Sequence, residues 1–200
     1  MRQTGAYPIC TIDTAQYYTL DTVHNGILIN DKFSLKYLLA ILNSKLMRFF
    51  YESSINESGK VFAQVKIIYI DPLPIKMISI SEQKPFITLA DIMLSLNSDL
   101  QTKRQRFLKR VTDNFGNIKI TGTLERFDEL EFKQLLAELK KQKISLSLKQ
   151  QDEWEEYFNE YKTECANLVN QIDTTDKEID GMVYGLYGLT EEEVKIIENK

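Results

Sequence analysis

The chain contains very little histidine, cysteine and proline, and these shortages exclude several classes of protein. The chain has one histidine and two cysteines, Cys10 and Cys165, which lie far apart without metal-ligand spacing. Buried reduced thiols are favoured over a disulfide between them. Four prolines and eight glycines argue against a fibrous or disordered chain. No apolar run approaches the ~20 residues that cross a bilayer, and no signal-peptide core follows Met1. We therefore expect a globular cytoplasmic protein that contacts no membrane.

The motifs of a self-sufficient active site are missing as well. The sequence has no phosphate-binding loop, nucleophile elbow or paired metal ligands. It also lacks the glycine-rich methyl-donor loop and the Asn/Asp-Pro-Pro-aromatic tetrapeptide of adenine methyltransferases. A Glu-x-Lys pattern at 131–133 falls in a predicted helix, which favours a solvated face over a nuclease site. His24 lies beside a turn without an assured carboxylate partner, so a surface or structural histidine is favoured over a general base. We predict no catalytic residue, no bound metal and no cofactor for this chain.

The net charge of −4 conceals an uneven distribution. Residues 1–122 carry 15 Lys and Arg against 10 Asp and Glu, a net charge of +5. Residues 123–200 carry 10 against 19, a net charge of −9. Because acidic surface repels a polyanion, any DNA-binding surface is expected before residue 122. Solvated helix faces would produce a similar bias, so charge alone does not decide the function.

Short β-prone segments flank a helix in the first part of the chain. Residues 15–20 and 26–30 predict two strands separated by a His-Asn-Gly turn. Residues 34–52 carry apolar side chains at three- and four-residue spacing, which predicts one helix with a wide apolar face. Alternation over residues 61–67 predicts a further strand, which a proline-rich run ends. We expect a small mixed β-sheet with a packed helix.

Everything after about residue 79 predicts helix. Capping boxes begin candidate helices at Ser79, Ser147 and Thr190, and the first of these is expected to exceed 25 residues. Helices over residues 128–141 and 147–172 are expected to form an antiparallel hairpin, followed by a short separate helix from Lys177. The predicted fold class is therefore α+β.

A domain boundary and an aromatic stretch complete the predicted organisation. A domain boundary near residues 78–82 would separate a first domain, 1–78, from a helical spacer and C-terminal region, 79–200. The aromatic and apolar residues between Trp154 and Ile172 keep helical spacing, which favours core packing over a ligand cavity.

Two segments resemble a known enzyme family, in the order expected for it. Residues 37–74, YLLAILNSKLMRFFYESS…GKVFAQVKIIYIDPLP, resemble the target-recognition (TaqI-like specificity) domain of adenine-specific DNA methyltransferases. Residues 178–193, EIDGMVYGLYGLTEEE, resemble the C-terminal signature of such methyltransferases fused to a restriction nuclease. The Arg-Gln-Thr-Gly run at residues 2–5 is similar to a strand near the middle of the recognition domain. The chain thus resembles the C-terminal part of a type IIG restriction–modification enzyme.

The resemblance implies a sequence-specific DNA recognition module without catalytic activity of its own. The parent enzyme would methylate adenine N6 with S-adenosylmethionine and cleave unmodified DNA with Mg²⁺. The implied partners are double-stranded DNA and the methyltransferase and nuclease domains of the parent chain. Since the family's catalytic domain and first recognition strands have no counterpart here, we expect a C-terminal fragment whose long helices act as a spacer.

Residue types and the resemblance together indicate a set of DNA-binding candidates. Cations and amides suit phosphates, whereas Arg, Lys, Asn and Gln also read base edges. The polar loop 53–60 is a candidate by its position between helix and strand, with an ordinary surface loop as the alternative. The basic cluster 103–110 is a weaker candidate, for which a solvated helix end is favoured. The expected DNA-binding residues are Arg2, Gln3, Thr4, Lys45, Arg48, Asn56, Ser58, Lys60, Phe62, Gln64 and Lys66.

A helical protein-interaction or dimerisation module of a restriction or phage-defence complex is the alternative from another class. In this alternative the acidic helical region docks on a partner, and DNA contact comes from elsewhere. Salt dependence separates the two hypotheses, because phosphate contacts weaken steeply with salt whereas packed helices respond little.

Overall fold

The computed structural model of the protein describes residues 1–55, 64–116 and 118–199. Helices account for most of these residues. In chain order they are α1 (Leu35–Asn43), α2 (Lys45–Ser54), α3 (Ile67–Ile70), α4 (Ile80–Phe115), α5 (Gly122–Glu125), a 3-10 turn (Phe127–Glu129), α6 (Phe132–Lys141), α7 (Leu148–Tyr187) and α8 (Glu191–Glu198).

The predicted α+β class with a mixed sheet is wrong, because the described residues form no strand and the protein is mainly α-helical. Residues 15–20 and 26–30 lack regular structure, and Ile27 and Ile29 are 86% and 94% exposed. A β-prone segment forms a strand only when a neighbouring chain pairs with it and covers one of its faces. Two isolated antiparallel bridges, Arg2–Val23 and Thr4–Gln64, are the pairing that the described residues show.

The predicted strand over residues 61–67 lies partly outside the described residues. Gln64 makes one bridge, and Ile67 already begins α3. The predicted single helix over residues 34–52 is also wrong, because Ser44 separates α1 from α2. Ser44 adopts an extended backbone, and its hydroxyl accepts the Met47 N–H, so it caps a new helix.

The chain divides into two compact units, one of residues 1–93 with 175–200 and one of residues 94–174. The divisions fall within α4 and within α7. The predicted boundary near residues 78–82, between domains 1–78 and 79–200, stays a prediction.

In the first unit, α2 packs against α1, α3 and α8. Buried Tyr37 and Leu46 come from α1 and α2. Gln83 of α4 is fully buried, where its Oε1 accepts the Ser34 N–H (2.8 Å) and its Nε2 donates to the Lys32 carbonyl (2.8 Å). These bonds fix the start of α1, whose N-cap is Ser34. The capping boxes predicted at Ser79 and Thr190 are confirmed.

The second unit has an aromatic core. Phe107 of α4 is fully buried and stacks on Phe127 with 3.7 Å between ring centroids. Phe158 and Cys165 of α7 are also fully buried in this core, and partly buried residues from Trp154 to Ile172 pack against it. The prediction that this stretch of α7 is core is therefore confirmed. Burial raises the pKa of the Cys165 thiol to about 11.

The predicted separate helix from Lys177 is wrong, because α7 runs without interruption for 40 residues. The polar run 173–177 contains no glycine or proline to end the helix. Within it, the Thr174 hydroxyl donates to the Asn170 carbonyl one turn earlier (2.8 Å), which is compatible with helical backbone. The helix ends at Gly188, whose φ of +69° is the left-handed conformation that favours glycine.

Candidate nucleic-acid interface

Three segments that are distant in sequence meet around the first residues of the chain. The Gln3 N–H donates to the Thr22 carbonyl (2.8 Å), and the Val65 N–H donates to the Gln3 carbonyl (2.6 Å). Residues 2–4 therefore lie between residues 22–24 and residues 64–65, with an antiparallel bridge on each side. This arrangement places Thr4 directly opposite Gln64, where side chains of such a pair are close neighbours.

His24 connects all three segments. Its backbone N–H donates to the Met1 carbonyl (2.8 Å), and the Met1 amine donates to the His24 carbonyl (3.0 Å). Its ring Nε2 lies 2.9 Å from the Val65 carbonyl. Because a carbonyl oxygen only accepts, Nε2 must carry the proton in this contact.

Alternation along these segments separates a buried side from an exposed side. Val65 is buried, whereas Gln64 and Lys66 on either side of it are exposed. Arg2 and Thr4 are likewise exposed and two residues apart, so they share one side of an extended backbone. We call the exposed set the polar face: Arg2, Thr4, Gln64 and Lys66.

The polar face rests on α2 and on a glycine. The Tyr51 hydroxyl of α2 accepts the Lys66 N–H (3.1 Å) and donates to the Gln64 carbonyl (3.4 Å), and Tyr51 itself is fully buried. Beside Arg2, a Cβ on Gly5 would lie 3.3 Å from the guanidinium, at a φ of +157°. Glycine at this position therefore leaves room for the Arg2 side chain to lie over the backbone.

The structure places Lys45 and Arg48 each beside a carboxylate. Lys45 Nζ lies 2.5 Å from Glu198 Oε2, and this hydrogen bond raises the pKa of Lys45. Arg48 Nε bonds to Glu52 Oε1 (3.0 Å), and its guanidinium lies 3.8 Å from the centre of the Tyr7 ring. A phosphate would have to compete with these partners, but a role in DNA binding stays a prediction for both residues.

Four other candidates, Asn56, Ser58, Lys60 and Phe62, lie outside the described residues. Gln3 takes part through its backbone, and its side chain is half-buried. Of the eleven candidates, the structure thus brings Arg2, Gln3, Thr4, Gln64 and Lys66 together. Their DNA-binding role stays a prediction.

The Asn-Ser-Lys run at residues 43–45 has a structural role that sequence reasoning missed. The Asn43 side chain forms a two-bond pair with the Cys10 backbone, accepting its N–H (2.8 Å) and donating to its carbonyl (3.0 Å). The Lys45 N–H, at the start of α2, donates to Asp180 Oδ1 (2.8 Å). Asp180 therefore accepts one of the N–H groups that have no partner within α2, across 135 residues of sequence.

The two segments that carried the resemblance are therefore in contact. Besides Asp180, Tyr187 of α7 donates its hydroxyl hydrogen to the Pro74 carbonyl and accepts the Lys76 N–H (3.1 Å). The Tyr184 hydroxyl donates to Glu198 Oε1 (2.7 Å). The Asp-x-x-x-Tyr-x-x-Tyr pattern of the C-terminal signature thus holds the end of the chain against the recognition segment.

Asp180 is the most perturbed acid of this unit. It is 2% exposed, and burial raises the pKa of its carboxyl to about 6. Its Oδ2 atom has no hydrogen-bond partner in the described part of the chain. Nearby Glu198 behaves oppositely, because the hydrogen bond from Lys45 lowers its pKa.

Other chemistry is not evident in the described residues. They contain no group of three or more His, Cys, Asp or Glu side chains arranged to hold a metal ion. None of their helices is both long enough and apolar enough to cross a membrane.

Comparison with protein families gives two matches. Residues 1–75 match the model described as TaqI-like C-terminal specificity domain, which confirms the resemblance to that recognition domain. The resemblance of residues 178–193 to a C-terminal signature stays a prediction. This match supports recognition of DNA for restriction–modification as the function of that segment. Residues 79–183 match the model described as Domain of unknown function (DUF8810). No curated protein and no solved structure matches the chain.

Proposed function

The chain belongs to the family described as Domain of unknown function (DUF8810). Because its residues 1–75 also match a specificity domain, we propose that it selects the DNA sequence on which a bifunctional restriction–modification enzyme acts. The observation that carries the proposal is the polar face, which lies within the residues that match a specificity domain. Two bridged segments present Arg2, Thr4, Gln64 and Lys66 on one side, while Val65 is buried behind them.

The side chains of the polar face are of the kinds that read duplex DNA. An arginine can bond to both acceptors of a guanine edge, and a glutamine can bond to both groups of an adenine edge. Lysine suits phosphates and the acceptors of guanine, and threonine suits phosphates and either kind of base. The net charge of +5 for residues 1–122 also favours a polyanion on this part of the chain.

The parent reaction that we propose is methyl transfer from S-adenosylmethionine to adenine N6, with Mg²⁺-dependent cleavage of unmodified DNA. Separate methyltransferase and nuclease domains would perform both reactions. This chain would supply recognition and catalyse neither. Methylation of target DNA by the purified chain alone would contradict the proposal.

A docking module is a second candidate, favoured by the net charge of −9 over residues 123–200. An acidic helical surface of this kind is unsuited to DNA and suited to a basic partner protein. The two functions are compatible in one chain, because they use different residues.

Selection from a randomised duplex pool, at two salt concentrations, tests DNA recognition by the purified chain. We expect one asymmetric sequence motif to be enriched, with an affinity that falls steeply with salt. Salt-sensitive binding without a motif would show that the chain contacts phosphates but does not read the base sequence. If nothing binds at either salt concentration, the docking function becomes the better explanation.

Gln64→Ala is expected to relax the selected motif at one position. Loss of a bidentate contact costs about 1–3 kcal/mol of discrimination, or about 5- to 150-fold between the preferred and the other bases. Repeating the selection with this variant measures the change. Gln101→Ala, an exposed glutamine of α4 in the other unit, provides the matched control. An unchanged motif in the Gln64 variant would show that Gln64 does not read a base.

A further inference from the structure

We infer that His24 is a positioning residue for base readout, which locks the segment carrying Arg2 and Thr4 to the segment carrying Gln64. The inference rests on the proposed function, because it assigns His24 a role in the selectivity of that same polar face. His24 itself is not part of the face.

The contacts of His24 are divided between the two segments. Two backbone bonds join it to Met1, at 2.8 and 3.0 Å, and its ring donates to the Val65 carbonyl at 2.9 Å. Besides the ring contact, a backbone hydrogen bond from the Val65 N–H to the Gln3 carbonyl (2.6 Å) joins these segments directly. The imidazole therefore supplies a second hydrogen bond between these segments, and it joins residues that lie 41 positions apart.

The two segments are held in place by different contacts. Residues 64–66 are bonded to Tyr51 of α2 and are anchored by buried Val65. Residues 1–4 have bridges to Val23 and Gln64, and Met1 packs against the buried cluster of Tyr51, Ile55 and Val65. Without the imidazole, the position of Arg2 and Thr4 relative to Gln64 depends on fewer bonds.

Base reading is more sensitive to such loosening than phosphate binding. A side chain that reads a base edge must be held within about 0.5 Å of its productive position, whereas phosphate attraction tolerates larger displacements. We therefore expect loss of the ring donor to reduce discrimination between the selected motif and a scrambled duplex, while the dependence of affinity on salt stays unchanged.

Three variants of the full chain test this role. His24→Phe keeps a ring but loses the donor, and we expect its ratio of affinities for motif and scrambled duplex to fall about tenfold, as expected for one lost hydrogen bond near the readout. His24→Gln retains a side-chain N–H donor, and we expect it to recover most of the ratio. Asn25→Ala, in which an exposed neighbour loses its bond to Thr19, is expected to leave the ratio unchanged.

The affinity ratio distinguishes positioning from simple destabilisation. A variant that is partly unfolded binds both duplexes less well by the same factor, so its ratio stays at the wild-type value. An unchanged ratio in His24→Phe would therefore overturn the inference. His24→Leu, which also lacks the donor, gives the same reading if the Phe variant does not fold.

The wild-type selection distinguishes failure of the proposed function from failure of the positioning role. If the wild-type chain enriches no motif, sequence recognition itself is refuted and the role of His24 falls with it. If the wild type enriches a motif and only the ratio of His24→Phe is unaffected, DNA recognition stands and the positioning role is refuted.

Discussion

Replacement of Phe107 by alanine is expected to lower the free energy of unfolding of the unit formed by residues 94–174 by about 3–5 kcal/mol. Phe107 is fully buried and has five aromatic neighbours within 6.3 Å between ring centroids. Four of these rings lie on α7 and Phe127 lies in the 3-10 turn, so their backbones hold them and they cannot all move into the space that the missing side chain leaves. The cavity therefore costs more than the lost transfer free energy alone.

Urea unfolding followed by tryptophan fluorescence measures this change. Trp154 is the single tryptophan of the chain, and its ring centroid lies 6.3 Å from that of Phe107, so the signal reports on this core. Leu148→Ala is the control, because Leu148 is 80% exposed and its loss should change the free energy by less than about 0.5 kcal/mol. A loss below about 1 kcal/mol for Phe107→Ala would mean that this aromatic core is not tightly packed.

The helical part of this core could be predicted from sequence because its signals are local. Ser147 and Gln150 form the predicted cap, with the Ser147 N–H donating to Gln150 Oε1 at 3.0 Å. The spacing of residues from Trp154 onward places their side chains on the buried side of α7. Both signals act within a few residues, so they do not require knowledge of any distant contact.

The first part of the chain could not be predicted in the same way. Tyr18 and Ile29 have high β propensity, but each is almost completely exposed and neither lies in a strand. The propensity of such residues describes a fit to a half-buried sheet, and the described part of the chain offers no neighbouring strand for that sheet. The helix break at Ser44 could not be predicted for a different reason. Apolar residues continue at helical spacing on both sides of Ser44, so the pattern favours one continuous helix.

The candidate interface shows a similar limit. Residue types and the family resemblance indicated Arg2, Thr4 and Gln64, but they did not show that Thr4 and Gln64 lie opposite each other. Neither did they associate Asp180 with the start of α2, because that bond joins residues 135 positions apart. The resemblance marked both segments, and the structure supplies the contact between them.

Asp180→Asn is expected to stabilise the protein at neutral pH. The carboxyl has an ordinary pKa of 3.8 and a pKa of about 6 in the folded chain, so the folded state binds the proton more tightly than the unfolded state. The contribution of this group to stability is therefore greatest below about pH 4 and decreases as the pH rises through about 6. The loss amounts to about 3 kcal/mol by pH 7.

The same sign follows from the contacts of Asp180. Burial opposes its charge, and nearby Asp176 and Glu198 add repulsion, while the Lys45 N–H and ammonium favour the charge but do not offset the burial. Asparagine keeps an oxygen acceptor for the Lys45 N–H and carries no charge. We therefore expect the variant to be more stable than the wild type by up to about 3 kcal/mol at pH 7.5, and nearly equal to it at pH 4.

Urea unfolding of both proteins at several pH values between 4 and 7.5 tests this expectation. Glu178→Gln removes the same charge from an exposed position two residues earlier on α7, and it should change stability by less than about 0.5 kcal/mol at every pH. Destabilisation of Asp180→Asn at pH 7.5 would show that the ionised carboxylate, paired with Lys45 at the start of α2, is favourable overall. Attraction at the helix terminus would then outweigh burial, and the signature aspartate would act as an ionic cap.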